Sequence, residues 1–215
     1  MNKEQILERT RQFVRQKLEG EGSGHDWWHI VRVCNNALDI ARQTEGVDSF
    51  IVELGALLHD IADHKFGYTD EDRRTIISEW LTTLDVSVEV IEEVVYIANH
   101  ISFKGGTNKH EMKTVEGKIV QDADRLDAIG AMGIGRAFAY GGHVNRTMYN
   151  PALNEQTAAV TDGYTESDTI SHFYEKLLLL KDLMNTEIGA QKAQRRHEIM
   201  EEFLRNFYAE WNGEI

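Results

Sequence analysis

Among its 215 residues the chain has one proline, Pro151, and one cysteine, Cys34. A lone cysteine excludes an internal disulfide framework and points to a reducing, cytoplasmic setting, with Cys34 itself read as a small buried residue. A lone proline leaves few helices forcibly interrupted. No stretch approaches the ~18 apolar residues of a membrane span, and the opening MNKEQILERTRQFVRQKLEG is amphipathic without an apolar centre. Basic residues are also scarce: 23 Lys and Arg against 36 Asp and Glu give a formal net charge of -13. That excess argues against nucleic acid and anionic membrane as partners, since both want clustered Lys and Arg. A small anionic substrate stays open, because a bound cation can invert the field of one pocket.

What is present is helix. With 41% hydrophobic residues the chain has enough apolar surface for a core of its own. A first helix is expected over roughly residues 3–19, broken by the glycines of GEGSG. A second starts at Asp26, a good N-cap, and a third covers about 48–62 with Ile51, Leu54, Leu58 and Ile61 on one face. Two more are expected at about 70–82 and 86–100. A long helix runs from near Thr114 through Asp124 towards Phe138, an irregular stretch fills 141–165, and two long helices finish the chain. The last carries a stripe of Ala193, His197, Met200, Leu204, Phe207 and Trp211. No segment alternates with period two, so the fold class is all-α.

Three separated pieces carry the chemistry. GHDWWHIVRV ends its opening turn on His29, LLHDIADHK holds the adjacent His59 and Asp60, and VQDADRLDAIG holds Asp124. Two imidazoles and two carboxylates form a mixed N/O set suited to a borderline divalent ion. His59 and Asp60, about 100° apart if helical, can both reach one ion above their helix. Four protein ligands on a six-coordinate ion leave positions for water or substrate, as a catalytic site requires. Trp27 and Trp28 read as packing residues, with base stacking as the alternative.

On these motifs the chain resembles the HD-domain metal-dependent phosphohydrolases, over essentially its whole length. GHDWWHIVRV is similar to the family's first helix motif, LLHDIADHK to its namesake motif, and DADRLDAIGAMG to its final Asp motif. NHISFKGG and HFYEKLLLLKDLMNTE resemble a small bacterial branch of nucleotide pyrophosphohydrolases. The resemblance implies one HD-type helical bundle over 1–215, its C-terminal helices at about 168–211 packing on a core at about 20–140. It implies one divalent transition ion, Mn foremost, with Fe, Co, Ni, Zn or Mg as alternatives. The implied reaction is cleavage of a (deoxy)nucleoside triphosphate to monophosphate and pyrophosphate.

The resemblance also distributes roles. The last ligand falls on Asp124, the Asp before Arg125 and Leu126, while Asp127 is read as partner to Arg32 or to a ligand histidine. Asp122 is left between a supporting role and a solvent-exposed acid. Asp63, four residues after His59, stands where several HD hydrolases carry a Glu that orients the attacking water. Lys65, His100 and Lys104 are candidates for phosphate contact, with His100 also a candidate acid for the leaving group. His172 and Lys176 are further candidates for the pocket. His64 and the proline-free Gly67-Tyr68-Thr69 count against the alarmone and cyclic-dinucleotide branches. The competing readings are a phosphatase or phosphodiesterase on another small phosphate, a di-iron HD-type oxygenase drawing on His25, His64 and His100, and a non-catalytic nucleotide sensor.

Overall fold

Helix caps written into the sequence set where the helices begin. In the computed structural model Asp26 starts α2 (Trp27–Ala41), its carboxylate accepting from the His29 amide at 2.8 Å. Asp48 starts α3 (Ser49–Leu58) in the same way through Phe50. Thr69 and Asp72 form a reciprocal capping box on α4 (Asp70–Thr83). The structure describes residues 1–18, 26–62, 67–101, 111–154 and 168–215, apart from the side chains of 153 and 154. Among these residues there is no strand, and no helix is long and apolar enough to cross a membrane.

The chain divides into two compact units, Met1–Asp124 and Arg125–Ile215. The first unit holds α1 (Lys3–Leu18), α2, α3, α4, α5 (Val88–His100) and most of α6 (Val115–Asp127). α3 is its centre: from Phe50 to Leu58 every residue except Ile51 is buried, the pattern of a helix covered on all sides. It packs against α1, α2 and α5, while α4 pairs with α5. Gly55 permits the closest approach, since a Cβ there would stand 3.3 Å from both Ile97 Cδ1 of α5 and Val120 Cγ2 of α6. Beside this core Cys34 is buried, and burial together with the Glu53 carboxylate pushes its thiol up to about 12.

The second unit is built on α7 (Gly130–His143) and α10 (Glu187–Trp211), with α9 (Thr169–Glu175) and a 3-10 segment (Leu177–Leu183) packed beside them. The short α8 (Pro151–Asn154) lies between α7 and α9 in sequence. Phe138, Phe173 and Phe203 meet with ring centroids 5.6–6.3 Å apart.

Four expectations are corrected. The hydrogen-bonded part of the third helix stops at Leu58, not near 62: His59 is its C-cap, residues 60–62 form a turn, and Ala62 has a left-handed φ of 58°. The helix expected to continue from Thr114 to Phe138 is two, because Gly130 takes φ +73° and brings the chain against Arg196, whose Cβ would be 2.9 Å from a Cβ there. Of the two long closing helices only α10 is long, for α9 gives way to the 3-10 segment at Lys176, whose φ of −139° is not helical. Along the α10 stripe Ala193, Met200 and Leu204 are buried, but Trp211 is 49% exposed.

Candidate metal centre

His29 lies in the first turn of α2, pinned through its own amide by Asp26, with its ring fully buried. His59 closes α3. Its Nδ1 lies 2.8 Å from the Ala56 carbonyl oxygen. A carbonyl oxygen only accepts, so Nδ1 carries the proton and Nε2 presents a lone pair. Asp60 follows in the turn, and Asp124 projects from α6.

His29, His59 and Asp124 offer donor atoms that all lie within 4.8 Å of one another, and Asp60 approaches the two histidines. His29 Nε2 is 3.2 Å from His59 Nε2, 3.3 Å from Asp60 Oδ2 and 3.5 Å from Asp124 Oδ1. His59 Nε2 is 3.5 Å from Asp60 Oδ2 and 3.8 Å from Asp124 Oδ1. Bonds of about 2.1 Å to a first-row divalent ion set neighbouring donors about 3.0 Å apart in an octahedron and about 3.4 Å apart in a tetrahedron. The observed spacings lie in or just above that span. The chemistry fits as well, because a lone pair on His59 and the carboxylates of Asp60 and Asp124 gathered around the two histidines are a donor set that a cation would stabilise. The imidazoles are 0% and 1% exposed and Asp60 8%, whereas Asp124 is 32% exposed, so the group opens to solvent on the Asp124 side.

Several other expected residues find definite places. His100 ends α5, half-buried, with its ring against Tyr96 and Nδ1 2.7 Å from the Tyr96 carbonyl oxygen. It is not among the donor groups that cluster within 4.8 Å of one another. Arg32 lies half-buried on α2. Asp127 is buried in the second unit and accepts from Arg136 Nη1 at 2.7 Å. Asp122 is fully buried, which removes the solvent-exposed alternative. Trp28, expected to pack, is 61% exposed, because the turn that buries His29 rotates its neighbour outward. In the second unit His172 is held down to about 4 by burial, with Lys176 and Arg146 adding to the effect. Asp63, Lys65 and Lys104, like His25 and His64, lie outside the described residues.

Two residues that the sequence reading passed over hold this region together. Arg73 of α4 is 4% exposed and bonds to the turn after Asp60, and buried Gln121 of α6 bonds to the end of α5. Arg73 lies outside the quoted motifs, and Gln121 stands in VQDADRLDAIG without a role assigned there. Only the tertiary fold brings their partners to them.

The HD domain family model matches residues 27–129, the stretch that contains His29, His59, Asp60 and Asp124. YpgQ of Bacillus subtilis (strain 168) is 40% identical over 199 residues, 92% of this chain and 90% of its own. The crystal structure of YpgQ in complex with ADP superposes with a TM-score of 0.75 at 35% identity, covering 95% of this chain and 97% of that one. An HD-superfamily hydrolase from Bacillus thuringiensis superposes with a TM-score of 0.78 at 43% identity, covering 98% and 99%. HD domains bind divalent metals, and the donors found here are of the kind and spacing that such binding needs. By this likeness the chain belongs to the HD-domain phosphohydrolase superfamily.

Proposed function

We propose that the chain hydrolyses a nucleoside triphosphate, releasing monophosphate and pyrophosphate, with Mn as the preferred ion held by His29, His59, Asp60 and Asp124. The observation that carries this reading is the grouping of His29, His59 and Asp124 donor atoms within 4.8 Å of one another, with Asp60 beside both histidines and Asp124 the most exposed of the four. The ADP complex of YpgQ supports a nucleotide as ligand. A divalent ion held there supplies acidification of water and neutralisation of charge on phosphoryl oxygens.

The chain's own groups do the rest. The Ala56 carbonyl holds His59 in the tautomer that offers Nε2, and Asp26 fixes the turn from which His29 reaches inward. Asp63 orients and deprotonates the attacking water. Lys65 and Lys104 grip the phosphate chain, supplying local positive charge in a protein of net charge -13. His100 gives the departing group its proton from Nε2, because Nδ1 is committed to the Tyr96 carbonyl.

The test is a matrix of divalent ions against nucleoside mono-, di- and triphosphates, with products identified by phosphorus NMR. Pyrophosphate released from triphosphates in Mn, and lost with Asp60→Ala, supports the proposal. Inorganic phosphate as the sole product moves the reading to a phosphatase. No turnover with any phosphate compound overturns it.

A further inference from the structure

Two helix ends in the first unit carry histidines of interest. α3 stops at Leu58, followed by His59, Asp60 and the turn to Ala62, and α5 stops at His100. Carbonyls at a helix end have no partner within the helix, and a buried one must find a donor elsewhere. One side chain on α4 supplies both ends. Arg73 Nε donates to the Ile61 carbonyl at 3.3 Å, one residue past Asp60. Its Nη1 donates to the Ala98 carbonyl at 3.4 Å and to Asn99 Oδ1 at 3.3 Å, on the last turn of α5.

Nη1 also meets Asp70 Oδ1 at 3.1 Å, but this ion pair does not account for the burial. Asp70 is 51% exposed, and a half-solvated pair contributes little while desolvating a guanidinium is costly. What the buried position adds is the rigid fork. Guanidinium donors point in fixed directions, so Nε and Nη1 set the Ile61 carbonyl and the end of α5 at a fixed separation. Gln121 works on the same end from α6, donating to the carbonyls of His100 at 3.4 Å and Ile101 at 3.3 Å, three residues before Asp124.

We propose that Arg73 is a positioning residue for the candidate metal centre: it ties the turn carrying His59 and Asp60 to the end of α5 carrying His100. The inference rests on the metal reading above, and its test separates the two. Arg73→Lys keeps the charge and the Asp70 pair but loses the fork, and it carries the test if Arg73→Met does not fold. Asp70→Asn removes only the ion pair. Leu81→Ala destabilises α4 from its far end, where the residue is fully buried.

Hydrogen exchange of the full-length, metal-free protein is followed in peptides covering 57–62 and 97–101. Both should exchange at least tenfold faster in Arg73→Lys than in Leu81→Ala, with Asp70→Asn staying within threefold of wild type. Mn affinity, read by calorimetry, should fall about 10- to 100-fold in Arg73→Lys, the usual effect of removing a group that orients metal ligands. Exchange unchanged at either helix end overturns the proposal. So does Mn affinity within twofold of wild type, or an equal loss in Leu81→Ala. A wild-type protein that takes up no ion sinks the metal reading instead, and the exchange comparison then still decides whether Arg73 ties the two ends.

Discussion

Gly55 is the point where a single methyl group tests the packing that sets the candidate centre. It sits mid-way along α3, with Ile97 Cδ1 and Val120 Cγ2 each 3.3 Å from where a Cβ would be and Ile97 Cγ2 at 3.5 Å. Ordinary methyl contacts lie near 3.5–4.0 Å, so Gly55→Ala requires two side-chain ends to give by about 0.3 Å. Replacing a mid-helix glycine favours the helix by about 1 kcal/mol, and strain of similar size opposes it. Gly55→Ala should therefore leave stability within about 1 kcal/mol of wild type. Gly55→Val adds two further methyl groups with no space for them, and overpacking should cost about 2–3 kcal/mol. In a chain of this length that lowers Tm by about 5–10 °C. The wedge also acts on the site, because α3 leads into His59 while Val120 shares α6 with Asp124, whose Oδ1 is 3.8 Å from His59 Nε2. Mn affinity measured at a temperature where both proteins are folded should fall in Gly55→Val and hold in Gly55→Ala. A valine variant with wild-type Tm and Mn affinity would refute this account of the α3–α6 contact.

Three other perturbations have expected outcomes. Cys34, buried and with its thiol raised to about 12, should resist a thiol reagent in the native state and react at the free-thiol rate only on unfolding. His172 is held down to about 4 in the folded state, below the value of about 6.5 in the unfolded chain. Between those values the unfolded state binds more protons, so this contribution, at most about 3 kcal/mol, is complete above pH 6.5 and is lost as pH falls towards 4. Denaturant melts of His172→Gln against wild type at pH 7 and 4.5 should show the smaller pH dependence in the variant. Removing metal with a chelator should leave the helical circular dichroism unchanged, because the core around Ile30, Leu54 and Ile97 is formed without the four donors; unfolding on chelation would contradict that.

Much of the helical frame was legible because its signals are local. Asp26 and Asp48 cap helices whatever the rest of the chain does, and Thr69 with Asp72 closes a box within four residues. The order of His29, His59-Asp60 and Asp124 named which side chains to compare, and His29, His59 and Asp124 have donor atoms within 4.8 Å of one another. What was not legible depends on packing. The apolar period runs unbroken through Asp127–Ile134, and only the approach of Arg196 shows why Gly130 turns the chain there. Leu177–Leu180 satisfies any helical period, so pattern alone cannot separate an α-helix from the 3-10 segment that forms. Apolarity alone suggests packing for Trp28, but its neighbour His29 takes the inward position. Arg73 carries no motif signal, and its fork acquires meaning only when Ile61 and Ala98 stand beside it.

The central claim is that four side chains on α2, the end of α3 and α6 share one ion. An anomalous difference map from crystals grown with Mn, recorded at the Mn absorption edge, tests it most directly. The account predicts one strong peak about 2.0–2.4 Å from His29 Nε2, His59 Nε2, Asp60 Oδ2 and Asp124 Oδ1, bordered by solvent on the Asp124 side. A peak elsewhere, or one from which any of the four side chains turns away, would contradict it.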